Sequence, residues 1–318
     1  MKWIIAAALL AFGSIASAQS WPNRPVRIVV AFPAGGPTDA VGRVLAERLT
    51  RTYGQQFIVE NRPGAAGNIG AEAVAKAAPD GYTLFLSSPG PQATSPFLYK
   101  NLSFDPRKDF TPIIAVGDMP LLFAANIKVP VTSIAELVDY AHKNPGKLTY
   151  GSSGNGSIGH LAAELFKHIA NVDLVHVPYR GSAPALQDLV GGQVDLTVDN
   201  LAGALRFVQS GQIRPLAITT EKRWPTLATV PTVQEAGFAG YVASSWAHMF
   251  GPAKLSADIV VSLNRSINEY IASEEGTKRL LGLGFVPVGG TPEDLDRVVR
   301  AEVARWGPVI HKLGVRLD

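Results

Sequence analysis

The chain of 318 residues contains no cysteine. That absence excludes disulfides, thiolate nucleophiles, thiolate metal sites and a lipid-anchored lipoprotein start. Charge is scarce too: 17% of residues are charged and the formal net charge is +3. The basic residues are scattered, with no block of like charge, so no nucleic-acid partner is expected. Past residue 18, no apolar run approaches the roughly 20 residues that span a bilayer. Hydrophobic residues nevertheless make up 47% of the chain, which fits a packed globule and not a disordered one.

The start of the chain has its own layout. Met1-Lys2 is followed by the nearly unbroken apolar run Trp3 to Ile15 and then by Ala16-Ser17-Ala18. A basic start, a short apolar core and a small-x-small end describe a secretory signal peptide, residues 1–18, cleaved after Ala18. The expected product is exported to a bacterial periplasm, where a cysteine-free protein is ordinary. The remaining chain, about 300 residues, is long for one core and points to two domains.

Strand-like and helix-like stretches alternate. Val26 to Phe32, Phe57 to Val59 and Tyr82 to Leu86 read as strands, with helices over Asp39 to Tyr53 and Ala71 to Ala78. This βαβαβ order implies an α/β fold with a mostly parallel sheet. Phe110 to Asn126 is a long apolar crossing, interrupted by Gly117-Asp118 and Pro120. A second alternation follows, with helices over Ile134 to His142 (Ser133 as cap), Ile158 to Ala170, Ala183 to Val190 and Ala204 to Gln209. Ser244 to Phe250 crosses back, and the rest is mainly helical. Two α/β units joined by two crossings predict a cleft between two lobes. Lobe 1 combines residues 19–119 and 245–318; lobe 2 is 120–244, with a hinge near Met119 and Ser245.

Ligands of open α/β sheets bind at the carboxyl ends of strands. The loops there share a chemistry of glycine and small hydroxyl side chains: Pro33-Ala34-Gly35-Gly36, Ser87-Ser88-Pro89-Gly90, Gly151 to Ser157, Tyr179 to Ser182 and Asp199-Asn200. Such loops bring backbone N–H groups close to a ligand, and helix starts near Thr38 and Ser157 add positive potential. The pattern predicts a carboxylate held by main-chain donors of Pro33–Asp39. Gly36 is taken as the tight position. Asp39 is expected to face away, as a helix cap or toward the ligand's other end, and Arg43 to pair with a local carboxylate.

Sharper motifs fare less well. Gly154-Asn155-Gly156-Ser157-Ile158-Gly159 matches G-x-G-x-x-G, with Asp173 downstream, but Asp173 precedes the next strand instead of ending it. It reads as an anion-binding helix start, and no cofactor is expected. His160, Glu164 and His168 share a helical spacing that suits zinc. Their neighbours Leu161, Leu165 and Phe166 form the core stripe, which assigns the trio to the solvated face; His160 alone, in the first turn, leans toward the cleft. No G-x-S-x-G is present, and no acid, base or nucleophile is visibly arranged for catalysis. A non-enzymatic binding protein is expected.

Long segments then carry a resemblance. "RPVRIVVAFPAGGPTDAVGR", "VENRPGAAGNIGAEAVAKAAPDGYTL", "YGSSGNGSIGHLAAELF", "VPYRGSAPALQDLVGGQVDLTVDN" and "IRPLAITTEKRWPTLATVPTVQEAGF" resemble the substrate-binding receptors of tripartite tricarboxylate transporters, the Bug family. The resemblance implies a two-lobed periplasmic binding fold of the Venus-flytrap, type II-like kind, closing on a small organic acid. It implies delivery to the membrane subunits of such a transporter. It also implies a ligand-binding set: Pro33, Ala34, Gly35, Gly36, Thr38 and Asp39 from the first loop, and Ser87 and Ser88. Ser152, Ser153, Gly154, Asn155, Gly156 and Ser157 follow from the second unit, with Tyr179, Arg180 and Asp199. "SSPGPQATSP" departs from the pattern through Pro89, Gly90 and Pro91, and ligand identity stays open among amino, aromatic and dicarboxylic acids. A monomer is expected. Two other readings stand beside transport: a carboxylate sensor for a membrane kinase, and a periplasmic enzyme.

Overall fold

The computed structural model describes residues 21–317; the expected signal peptide lies outside them. The first unit runs β1 (Val26–Val30), α1 (Pro37–Tyr53), β2 (Phe57–Asn61), α2 (Asn68–Ala75), β3 (Thr83–Ser87) and a short α3 (Ser95–Leu98). β4 (Phe110–Asn126) leads into α4 (Ile134–Lys143), β5 (Thr149–Ser152), α5 (Ile158–Ala170), β6 (Val175–Pro178), α6 (Ser182–Gly191), β7 (Leu196–Asn200), α7 (Leu201–Gln209) and β8 (Ile213–Ile218). β9 (Ser244–Pro252) returns to α8 (Ala257–Ile271), α9 (Glu274–Gly282), β10 (Val286–Pro287) and α10 (Pro292–Leu313).

β2, β1 and β3 are parallel, and β9 pairs antiparallel with β3. β4 is a single 17-residue strand. Its first part, Phe110 to Pro120, pairs antiparallel with β9, and its second part, Leu121 to Asn126, pairs with β7 and β8. β7, β5 and β6 continue in parallel. Gly117-Asp118 and Pro120 therefore do not interrupt β4. Register shifts at Pro112/Ile114 and Ala115/Gly117 mark bulges upstream, and Gly117 to Pro120 pair in unbroken register with Ala247 to Ser244.

The apolar residues form cores on either side of this crossing. Val26, Ile28, Leu45, Leu84, Met249 and Leu263 belong to one cluster, and Phe85, Trp246, Leu295 and Val299 to a neighbouring one. Phe123, Tyr150, Phe166, Leu196 and Tyr241 build a third. Trp306 and Ile310 of α10 pack in that third cluster too, so α10 runs from one core to the other. Local signals explain several boundaries. Ser133 and Ser157 cap α4 and α5 by accepting from the N–H groups of Glu136 and His160. Thr291 and Asp294 form a capping box for α10.

Three expectations are corrected. α1 begins at Pro37, because proline's fixed φ suits the first helical turn. Pro89 to Pro96, within the segment read as a loop, is helical: a wide turn over Gly90–Thr94 leads directly into α3. Its prolines sit where turns begin and need no N–H partner. His160 is buried, 7% exposed, whereas His168 on the same helix is exposed, so the polar trio does not share one solvated face.

Candidate functional site

The loops at the carboxyl ends of β1, β3, β5, β6 and β7 meet at one cavity of about 80 Å³. Pro33, Ala34, Gly36 and Thr38 line it from the first unit, with Ser88 and Gly90. Ser153, Ser157, Arg180, Ser182 and Asn200 line it from the second, and Ser245 of the crossing strand completes it. A wider cavity of about 790 Å³ shares Pro33, Ala66, Ser153 and Arg180 and adds Gly154, Asn155, Tyr179 and Tyr99.

Helix starts dominate the inner cavity. Gly36 precedes α1 and Gly181 precedes α6, and neither supplies a side-chain cap. Asn200, before α7, makes no side-chain cap bond either. The first N–H groups of these helices have no intrahelical partner and carry the positive end of the helix dipole. Arg180 is exposed at the rim, with no ion pair among the described residues. The wall offers donors and positive potential, which is what an anion needs.

Asp39 lies behind the first loop as its brace. Its Oδ2 accepts from the Gly35 N–H and from Arg43 Nε, both at 2.9 Å. Its Oδ1 accepts from Arg43 Nη2 at 3.0 Å and Asn61 Nδ2 at 2.9 Å, and Asn61 Nδ2 also donates to the Phe32 carbonyl. Burial pushes its carboxyl up, but Arg43, the Gly35 N–H and Asn61 together hold it below the usual range. With every lone pair engaged, Asp39 has nothing left for a ligand. The tight glycine is Gly35, with φ of 82°; Gly36 has φ of −78°, open to any residue.

Of the residues expected at the site, Gly35, Asp39, Ser87, Ser152, Gly156, His160 and Asp199 line neither cavity. They stand directly behind the residues that do. Asp199 is fully enclosed, and burial pushes its carboxyl up to about 6, although Ser182 and the Asn200 N–H oppose this. It accepts from Ser182 Oγ and from the Asn200 N–H, both at 2.7 Å, which fixes the starts of α6 and α7. Tyr179 turns its hydroxyl away, donating to Asp188 at 2.7 Å. Ser182 and Asn200 were absent from the expected set. The rule that ligands meet helix starts points to them, since each sits at one. Gly90 lies in a strand-end loop the sequence singles out, whereas Ala66 and Ser245 carry no such signal.

The family model of the tripartite tricarboxylate transporter family receptor matches residues 41–315. Protein BugT of Bordetella pertussis is 37% identical over 302 residues, covering 95% of this chain and 93% of BugT. Among solved structures, Rpa4515 of R. palustris with adipate is 45% identical, with a TM-score of 0.90 over 93% of this chain and 100% of that one. MatC of Rhodopseudomonas palustris with bound malate is 34% identical, with a TM-score of 0.85 over 91% of this chain and 99% of that one. The periplasmic binding protein BugD is 37% identical, with a TM-score of 0.88, covering 93% and 100%. The fold is thus that of periplasmic binding proteins, and the chain belongs to the receptor family of the tripartite tricarboxylate transporters.

Proposed function

We propose that the protein is a periplasmic receptor that captures a small organic carboxylate and delivers it, unaltered, to the membrane subunits of a tripartite transporter. The observation that carries this reading is the convergence of three helix starts without side-chain caps on one cavity beside Arg180. One carboxylate sits on the backbone of the Pro33–Thr38 loop. The second unit, through Ser153, Ser157, Arg180 and Ser182, closes on the rest. The lobes are residues 19–119 with 245–318, and 120–244. Closure occurs where β4 and β9 lie side by side, Met119 opposite Ser245. The C-terminal turns of α10 lie across the second lobe. Export follows cleavage after Ala18.

Two relatives of known structure, one with adipate and one with bound malate, support a ligand carrying two carboxylates. Titration calorimetry with adipate, malate and their neutral diamides tests this. At least one diacid should bind, and its diamide should not, since the loss of charge removes the charge-assisted hydrogen bonds. At 100 times Kd the bound form gains about 2.7 kcal/mol, visible as a raised Tm. Equal binding of acid and amide would overturn the anion site.

A further inference from the structure

The second ligand loop, Ser153 to Ser157, is held from behind by imidazoles. Gly154 has φ of 135° and Gly156 φ of 72°, conformations with little preference of their own. The rings of His160 and His176 lie face to face, centroids 4.1 Å apart and planes 12° from parallel. Tyr150 stacks on His176 at 4.8 Å. The Gly156 N–H donates to His160 Nδ1 at 3.1 Å. Ser152 Oγ lies 2.7 Å from His176 Nε2, accepts from the Gly154 N–H at 3.2 Å and lies 3.2 Å from the Gly154 carbonyl oxygen. His160 therefore holds one glycine of the loop directly, and His176 holds the other through Ser152.

We propose that the His160–His176 stack is a positioning element for ligand binding, fixing the donors of the Ser153–Ser157 loop while both rings are neutral. This rests on the receptor reading above. Nδ1 of His160 accepts, so the proton of the neutral ring is on Nε2. A second proton, on Nδ1, would face the Gly156 N–H. A charge on either ring also lies against its neighbour in a buried setting. Burial holds both imidazoles below their ordinary 6.5, His176 down to about 4 with His160 beside it adding to the effect. Three titratable groups face the pair: Glu164, which opposes the lowering, Lys167, which adds to it, and Tyr150, whose hydroxyl donates to Glu164 at 2.7 Å. Neither histidine touches the ligand cavity, so both act through the loop.

Paired substitutions separate position from bulk. His160→Phe keeps a ring but loses the acceptor, whereas His160→Asn carries an oxygen to the place of Nδ1. His176→Phe removes the polar atom at Nε2, and His176→Gln returns an amide there, whose oxygen or NH2 can meet Ser152 Oγ. Adipate affinity is measured by calorimetry at about pH 7.5, where both rings are neutral, and at about pH 4, the value to which His176 is held down. The Phe variants should raise Kd by about 3- to 10-fold, the worth of one hydrogen bond, and the Asn and Gln variants by no more than about twofold. Wild-type affinity should fall more between the two pH values than that of His160→Asn, in which adipate's own titration remains but the ring does not. Phe variants that bind as tightly as wild type, or undiminished pH dependence in His160→Asn, would overturn the proposal.

Should wild type not bind adipate, that ligand assignment falls, and amide exchange at Gly154 and Gly156 in the unliganded protein decides the positioning role. The Phe variants should speed that exchange by about 10-fold, in line with one hydrogen bond lost, while the Asn and Gln variants should not. Unchanged exchange in all four would overturn it.

Discussion

The two loops that meet at the cavity do the same job with different chemistry. Each presents glycine-rich backbone ahead of a helix. Pro33–Gly36 is braced by charge, with one buried carboxylate taking four hydrogen bonds from Gly35, Arg43 and Asn61. Ser153–Ser157 is braced without any ion, by a serine hydroxyl and two stacked neutral rings. A carboxylate close behind an anion site repels the ligand less when its lone pairs are consumed. Asp39 satisfies that condition, and the Ser153–Ser157 loop avoids the issue by using imidazoles; Asp199, behind the starts of α6 and α7, has only Oδ1 engaged. The consequence is that the two loops should respond to acid in different ranges.

The largest effect is expected from Asp39→Leu. It leaves the Gly35 N–H and Asn61 without their acceptor behind the loop. The expected cost is about 2–3 kcal/mol, less than a fully enclosed ion pair because Arg43 is well exposed. Adipate affinity should fall by about 100-fold or more if the loop loses its shape, which corresponds to about 2.8 kcal/mol. Urea denaturation with calorimetry on the same preparations checks both.

Acid separates the loops next. His160 and His176 titrate below 6.5 in the folded protein, so as pH falls the unfolded chain takes up protons first. Their contribution is complete above 6.5, declines toward about 4, where His176 titrates, and does not decline further once both are charged. Asp39 is held below 3.8, so its contribution stays complete above 3.8 and fades only below it. Asp199 and Asp118, both pushed up to about 6, take up protons first in the folded protein and oppose the histidine effect, so the readout is the difference between proteins. The Tm of His160→Asn should fall less, or rise more, than that of wild type between pH 6.5 and about 4, and identical changes in both would contradict the assignment.

Two neighbouring glycines sharpen the first loop. Gly35→Ala forces a side chain onto φ of 82° and should cost about 1 kcal/mol. Gly36→Ala has no such strain, and its Cβ would meet only the Pro33 carbonyl at 3.4 Å. It should leave Tm unchanged while altering affinity, since Gly36 lines the cavity. The smallest effect belongs to Arg43→Gln. Its guanidinium is mostly solvated, so stability should be nearly unchanged, measured by the same denaturation.

The sequence made the alternating units and both crossings legible because each apolar run had a clear period or length. Val26, Ile28 and Val30 fill one core, and Ile158 to Ala170 is a helix with the bounds its pattern implies. The wide turn at Gly90–Thr94 was not legible, since prolines and small residues read as loop whether or not they wind into a helix. The strand-end loops identified the cavity's general place. Which residues face it and which stand behind was not readable from the same segments. Gly35 and Gly36 are alike in sequence and differ only in φ. His160 and His176 are separated by a helix and a loop, and nothing linear announces that their rings stack.

The most direct test of the central claim is a crystal structure of the protein at saturating adipate. A carboxylate oxygen should lie within about 2.7–3.2 Å of main-chain N–H groups between Ala34 and Asp39, with Asp39 still bound to Arg43 and Asn61. A carboxylate held only by the Arg180 guanidinium, with the Pro33–Thr38 backbone out of reach, would contradict it.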